Sequence, residues 1–153
     1  ISPADFALNH PAGSLGKQLT MTVADLMVPR DQLPALHKET PLPDVISHLT
    51  TGSIGSGWVS DPDQPERLLG LITDGDLRRA LRDHNSEEWA SLRACNLMTT
   101  DPITTTPEVL AVDAIKAMEH NRRKAISVLP VVNEDQQLQG LLRLHDLVQA
   151  GLA

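Results

Sequence analysis

Two aspartates carry the clearest chemistry in this chain. Asp76 closes the stretch Gly70-Leu-Ile-Thr73-Asp74-Gly75-Asp76, and Asp146 closes Gly140-Leu-Leu-Arg143-Leu-His145-Asp146. Each follows a glycine and an apolar run and precedes residues at helical spacing, so each stands where a strand turns into a helix. Such a turn presents unpaired backbone N–H groups and the positive end of a helix dipole, a setting that suits an anion. At the first turn the Thr73 hydroxyl adds a donor, and Gly75 permits close backbone approach. An ionised Asp76 can accept both hydroxyls of a ribose, as acidic residues do in dinucleotide sites. The same residues admit a plainer role, in which Asp74 or Asp76 caps the helix holding Leu77, Arg78, Arg79 and Leu81. The second turn puts Arg143 where the first has Thr73. Arg143 either holds a phosphate bidentately, or fills the cleft and pairs with Asp146. The expectation is one well-formed site at Thr73/Asp76 and a modified one at Arg143, His145 and Asp146.

The two turns belong to a longer duplication. "ADLMVPRD" (24–31) parallels "CNLMTTDP" (95–102); Met27 and Met98 stand 71 positions apart, and Gly70 and Gly140 stand 70 apart. Each unit is roughly 60 residues, the scale on which internal repeats define a fold. In the second unit Thr106 is the expected N-cap and Pro107 the first helical residue, with Ala111, Ala114, Ile115 and Met118 following at helical spacing. A strand at 125–132, a polar turn at 133–137 and a strand at 138–144 form a hairpin, and "HDLVQAGL" opens a closing helix. The first unit repeats this as helix 41–50, strand 57–61, turn, strand 68–73 and helix 74–83. A β-α-β-β-α unit of this size exposes an apolar sheet and is marginal alone. An α/β (α+β) pair of such units, packed as a pseudo-twofold, buries both sheets and brings the two turns to one cleft. The expected boundaries are 21–83 for the first unit, 84–93 for a linker and 94–153 for the second.

Composition narrows the function classes. The chain has 153 residues, a net charge of −7 and no dense basic block, which argues against nucleic acid as a partner. Arg122, Arg123 and Lys124 form only a short basic run, read as solvated or as greeting an anionic ligand. Phe6, Trp58 and Trp89 are the only aromatics, so the core is aliphatic. Cys95 is the lone cysteine, which removes an internal disulfide and points to a cytoplasmic setting. No apolar run approaches the roughly 20 residues that span a bilayer, and the start lacks the pattern of a signal peptide. The six histidines show no metal spacing and no catalytic triad is legible, so neither a metal nor a required cofactor is expected.

Over about residues 23–152 the order of elements, the paired "LM" openings and the recurring Gly…Thr-x-x-Asp turn resemble the tandem CBS pair, or Bateman module. The head "DFALNHPAGSLGKQL" (5–19), joined to "ITDGDLRR" and "HDLVQAGL", is similar to D-arabinose-5-phosphate isomerases, which join a sugar-isomerase (SIS) domain to a CBS pair. That resemblance implies that residues 1–20 end a catalytic domain, that His10 matches its histidine, and that the fragment itself catalyses nothing. The parent would interconvert D-ribulose 5-phosphate and D-arabinose 5-phosphate on the route to 3-deoxy-D-manno-octulosonate and lipopolysaccharide. It also implies phosphate contact for Thr73 and ribose contact for Asp76. The base would lie near Gly57 and Trp58 or near Ala125 and Ile126, with aliphatic stacking and affinity on the order of micromolar. The implied ligands are AMP or ATP, or a cytidine-linked sugar acid acting as a feedback signal. The implied partners are a second copy of the module, in a dimer within a tetrameric parent, and the parent's own SIS domain. The rival readings are a ligand-free oligomerisation module and a CBS pair from a different parent.

Overall fold

The computed structural model describes residues 15–52, 54–120 and 126–153. His10, Ala125 and the run Arg122–Lys124 lie outside the described residues. Five strands are present among the described residues: β1 (Val28–Pro29), β2 (Ser56–Ser60), β3 (Leu68–Thr73), β4 (Val128–Val132) and β5 (Leu138–Arg143). β2–β3 and β4–β5 are the two expected antiparallel hairpins, and each has a register irregularity at the matching place, Val59/Ser60 and Val131/Val132. A long helix precedes each hairpin (Leu42–Thr51 and Ala111–Glu119), and a closing helix follows it (Asp74–Asp83 and Leu144–Gln149).

The duplicated leading segments cross over. β1, from the first unit, pairs antiparallel with β5 of the second, setting Val28 opposite Leu141. Thr99, from the second unit, pairs with Leu71 of β3 through both backbone bonds, at 3.0 and 2.8 Å. The short helices just before these contacts, Val23–Leu26 and Ala94–Leu97, likewise cover the opposite unit. Leu92, Ala94 and Leu97 pack with Leu42, Val45, Leu49 and Ile72 of the first core. Val23 packs with Ala111, Ala114, Met118 and Leu142 of the second. Even the orphan amides at the starts of the long helices are met this way: Leu42 N–H donates to the Leu92 carbonyl at 3.0 Å, and Ala111 N–H to the Met21 carbonyl at 2.8 Å. Between the hairpins Trp58, Leu71, Leu138 and Leu141 form a third apolar cluster, which is the expected burial of sheet against sheet.

The paired methionines and glycines explain each other. A Cβ built on Gly70 would lie 2.5 Å from Met98 Sδ, and one on Gly140 would lie 2.7 Å from Met27 Sδ. Each unit's methionine therefore seats on the other unit's glycine, where a methyl group would collide.

Three local expectations are corrected. Thr106 is not an N-cap: Thr105 is held extended by a parallel bridge to Val131, and the helix starts only at Ala111, behind Leu110. No side-chain cap is needed there, because the Met21 carbonyl takes the Ala111 amide. The expected linker contains a short 3-10 helix, Ser86–Ser91. Trp89 packs on the first core and donates its Nε1–H to the His84 carbonyl at 3.1 Å. β4 starts at Val128, where pairing with Arg143 begins, and Leu144 opens the closing helix instead of ending the strand.

The two glycines differ in what a methyl group would strike. At Gly140 it also meets the Val28 carbonyl at 2.5 Å, which is backbone, whereas at Gly70 only the flexible Met98 side chain is near. Gly140→Ala is expected to destabilise by ~2 kcal/mol or more and Gly70→Ala by less, within the usual overpacking range. Chemical denaturation of the two variants checks the order.

Candidate functional site

Both strand-to-helix turns open into one groove of about 1370 Å³. Thr73, Asp74, Gly75 and Asp76 line it from the first unit, and Arg143 and His145 line it from the second. The walls between them are Ile54–Ser56, Thr99, Asp101–Ile103, Ile126–Val128 and Val148, with Arg78 and Arg79 at the first turn. The meeting of the two turns in one cleft follows from the pairing of each leading segment with the other hairpin.

At the first turn the sequence builds a capping box. Thr73 is the N-cap and Asp76 the third helical residue; the Asp76 amide donates to Thr73 Oγ1 at 3.3 Å. Asp76 Oδ2 accepts from the Thr73 amide at 2.8 Å and from the Thr73 hydroxyl at 3.0 Å. Oδ1 accepts from Arg79 Nη1 and from Thr99 Oγ1, both at 3.0 Å. Asp76 is 3% exposed, and its four acceptor positions are filled by protein. Capping is therefore a role that Asp76 fills in the structure. The expected ribose contact has no vacant acceptor at Asp76, and the Thr73 hydroxyl directs its proton at Asp76, not outward. The amides of Asp74 and Gly75, at the first two helical positions, have no carbonyl four residues back to bond. A Cβ on Gly75 would meet nothing nearer than Thr73 Oγ1 at 3.6 Å, so the protein's own packing does not demand this glycine. Arg78 is exposed and makes no ion pair among the described residues.

The second turn solves the same problem with one residue. Arg143 donates Nε to Asp146 Oδ2 at 3.0 Å and Nη2 to Oδ1 at 2.7 Å, while its amide also donates to Oδ2 at 3.1 Å. The pair is largely sheltered, with side chains 21% and 14% exposed. The hydrogen bond to Asp146 raises the Arg143 pKa, so the guanidinium stays charged. By the offsets of the repeat, Arg143, Val28 and Gln149 occupy the places of Thr73, Thr99 and Arg79. Val28 cannot donate from its side chain, so the bidentate arginine replaces what three residues supply at Asp76. Of the two roles left open for Arg143, pairing with Asp146 is the one formed.

The expected base contacts are only partly placed. Ile126 lines the groove, but Gly57 and Trp58 do not. Gly57 is buried beneath Leu36 and Leu49, and Trp58, 4% exposed, donates Nε1–H to the Leu33 carbonyl at 2.7 Å. Their place on the groove wall belongs to Ile54, Gly55 and Ser56. The reason is register: Ser56, not Gly57, stands opposite Thr73. Gly55, with φ 73°, turns the chain there. Thr99 was also missed; its signal is its position directly after Met98 in the repeat, where the first unit has Val28.

A family model for the CBS domain matches residues 23–83 and 94–153. The chain belongs to the CBS domain family. It is 36% identical over 148 residues to arabinose 5-phosphate isomerase KdsD of Salmonella typhimurium, covering 97% of this chain and 43% of that protein. It is equally 36% identical over 144 residues to arabinose 5-phosphate isomerase KpsF of Escherichia coli, covering 94% and 41%. The chain thus spans less than half the length of either isomerase. Among solved structures, the protein CBSX2 in complex with AMP is 27% identical, with a TM-score of 0.71 over 86% of this chain and 96% of that one. The CBS domain of a bacterial CNNM/CorC family Mg²⁺ transporter in complex with ATP is 18% identical with a TM-score of 0.73, over 92% and 93%, and shares the fold.

This CBS pair has no group of three or more His, Cys, Asp or Glu fit to hold a metal among the described residues. No described helix is long and apolar enough to cross a membrane. A second cavity of about 400 Å³ lies behind Trp58, against Asp44, Ser47, His48 and Thr51 of the first long helix. Burial there lowers the His48 pKa from 6.5, against a smaller opposing effect of a hydrogen bond with the Pro34 backbone.

Two outcomes are expected. Arg143→Thr leaves Asp146 short of its side-chain donors and costs ~1–3 kcal/mol; adding Val28→Thr and Gln149→Arg recovers part of it, read by urea denaturation. For His48 the unfolded chain binds the proton more readily than the folded one. Its contribution is complete above pH 6.5 and is lost as pH falls below that value toward the lowered folded pKa. His48→Asn should flatten that part of the stability–pH curve.

Proposed function

We propose that this CBS pair is the ligand-sensing module of a sugar-phosphate aldose–ketose isomerase and binds an adenine nucleotide, AMP or ATP, in the groove between its units. The observation that carries the reading is the convergence of two helix-starting turns, Gly75 with Arg78 and Arg79 on one side and Arg143 with His145 on the other, on a groove with aliphatic walls. Ile54, Ile103, Ile126 and Val128 offer a base its sandwich, and the first turn offers the phosphate its amides and cations. The AMP and ATP named for two structural relatives point the same way. The likeness to the two arabinose 5-phosphate isomerases supports this parent; in this reading its reaction belongs to lipopolysaccharide synthesis and is carried out in the cytoplasm by an SIS domain outside the CBS pair. A cytidine-linked sugar acid is the finer alternative within the same reading, because a late activated sugar can report on flux through the first step. Regulation of the parent then requires that the ligand bind one of its states more tightly than another.

A second reading, a ligand-free assembly module, is favoured by Leu144 and Val148, exposed four residues apart on the closing helix, beside exposed Ile103. A thermal-shift panel of AMP, ATP, CMP and a cytidine-linked sugar acid separates the two. A ligand at 100 times its dissociation constant adds about 2.7 kcal/mol of stability. The nucleotide reading expects a shift that Arg78→Ala reduces. No shift with any of the four, together with a sedimenting dimer, would establish the assembly module instead.

A further inference from the structure

Asp76 Oδ1 is held by two donors of different kinds. Thr99 Oγ1, at 3.0 Å, is uncharged and fixed, because the Thr99 backbone is bonded twice to Leu71. Arg79 Nη1, also at 3.0 Å, belongs to a cation whose side chain is 40% exposed and whose ion pair among the described residues is with Asp76. All three residues line the groove, and Asp76 is the buried one. A guanidinium in this position has two sets of acceptors within reach of its fork, the Asp76 carboxylate and any anion in the groove. The second turn offers no such exchange: Arg143 holds Asp146 through both Nε and Nη2, and Gln149 stands in the place of Arg79.

We propose that Arg79 is an exchangeable partner of Asp76: an anionic group entering the groove draws the guanidinium off Oδ1, and the vacated acceptor takes a hydroxyl of the same ligand. This rests on the nucleotide reading of the groove and adds a selection rule to it. Before the exchange, the Asp76 charge is balanced by Arg79. Afterwards Arg79 faces the phosphate, and the Asp76 carboxylate is held by the Thr73 amide, two threonine hydroxyls and the ligand hydroxyl, next to the positive end of its own helix. The anion thus becomes the condition for hydroxyl recognition. A nucleoside without phosphate meets an occupied carboxylate and is refused. Thr99 positions Asp76 before and after the exchange, whereas Arg79 leaves it for the phosphate, so only removal of Arg79 changes the preference between ligands.

Calorimetric titration of AMP and of adenosine into wild type, Arg79→Gln and Thr99→Val tests the rule, with unliganded melts confirming that each variant is folded. Wild type is expected to prefer AMP strongly. Arg79→Gln should weaken AMP roughly tenfold and strengthen adenosine roughly threefold, so the preference collapses. Thr99→Val leaves the exchange in place and should move both ligands by the same factor. Equal weakening of both ligands by Arg79→Gln, or loss of the preference in Thr99→Val as well, would overturn the exchange while leaving nucleotide binding intact. Failure of wild type to bind AMP, together with no thermal shift from ATP, CMP or the cytidine-linked sugar acid, overturns the nucleotide reading, and the exchange falls with it.

Discussion

Neither hairpin is fully covered by its own unit. The strand edge of β5 is closed by Val28 and Pro29 from the first unit, and that of β3 by Thr99 from the second. The same segments fill the opposite cores with Val23 and with Leu92, Ala94 and Leu97, and satisfy the first amides of the opposite long helices. Part of each core is thus missing until both units are present. A separated unit would expose an unpaired edge and an incompletely covered core, conditions that favour association over independent folding. The groove exists because of this crossover: its walls at Thr99–Ile103 and at Ile54–Ser56 are brought together by segments that leave one unit and finish in the other.

The seam also sets which residues can repeat. Met27 and Met98 recur because each fills the space above a glycine of the other hairpin, and Gly70 and Gly140 recur because that space must stay free. Asp76 and Asp146 recur because a helix that starts abruptly after a strand needs its N-cap amide accepted, and the third helical residue is placed to do it. The residues around the aspartates are free to differ as long as the carboxylate is satisfied. Hence Thr73, Thr99 and Arg79 on one side are exchanged for Arg143, Val28 and Gln149 on the other.

Most of the fold was legible because its repeats are local and periodic. The hairpins, the long helices and the helix Asp74–Asp83 follow from spacing alone. The crossover was not legible, since nothing in "VADLM" or "RACNLM" says which sheet the segment will join; that choice is settled by non-local packing. Thr106 misled because Thr-Pro is a valid helix start in isolation, while the bridge from Thr105 to Val131 keeps the chain extended. The site was half legible for a different reason. A cap and an anion site ask for the same residue types at the same spacing, so Thr73 and Asp76 could be located but not assigned. The groove wall was misplaced from Ser56 to Gly57 because a shift of one residue along a strand exchanges its faces.

The two turns hold their aspartates in different ways. At the second turn the arginine is part of the cap, and drawing it away would leave a sheltered carboxylate with only its backbone donor. At the first turn the cap stands without Arg79, because Thr73 supplies two donors and Thr99 a third. The cation there is surplus to the local structure, and a surplus cation beside helical amides can change partners at low cost. Thr99 also sits on the crossing segment, so one of the two donors to Asp76 Oδ1 belongs to a chain that continues into the second unit. One turn therefore serves as a fixed joint and the other as the adjustable one, although both descend from the same sequence pattern.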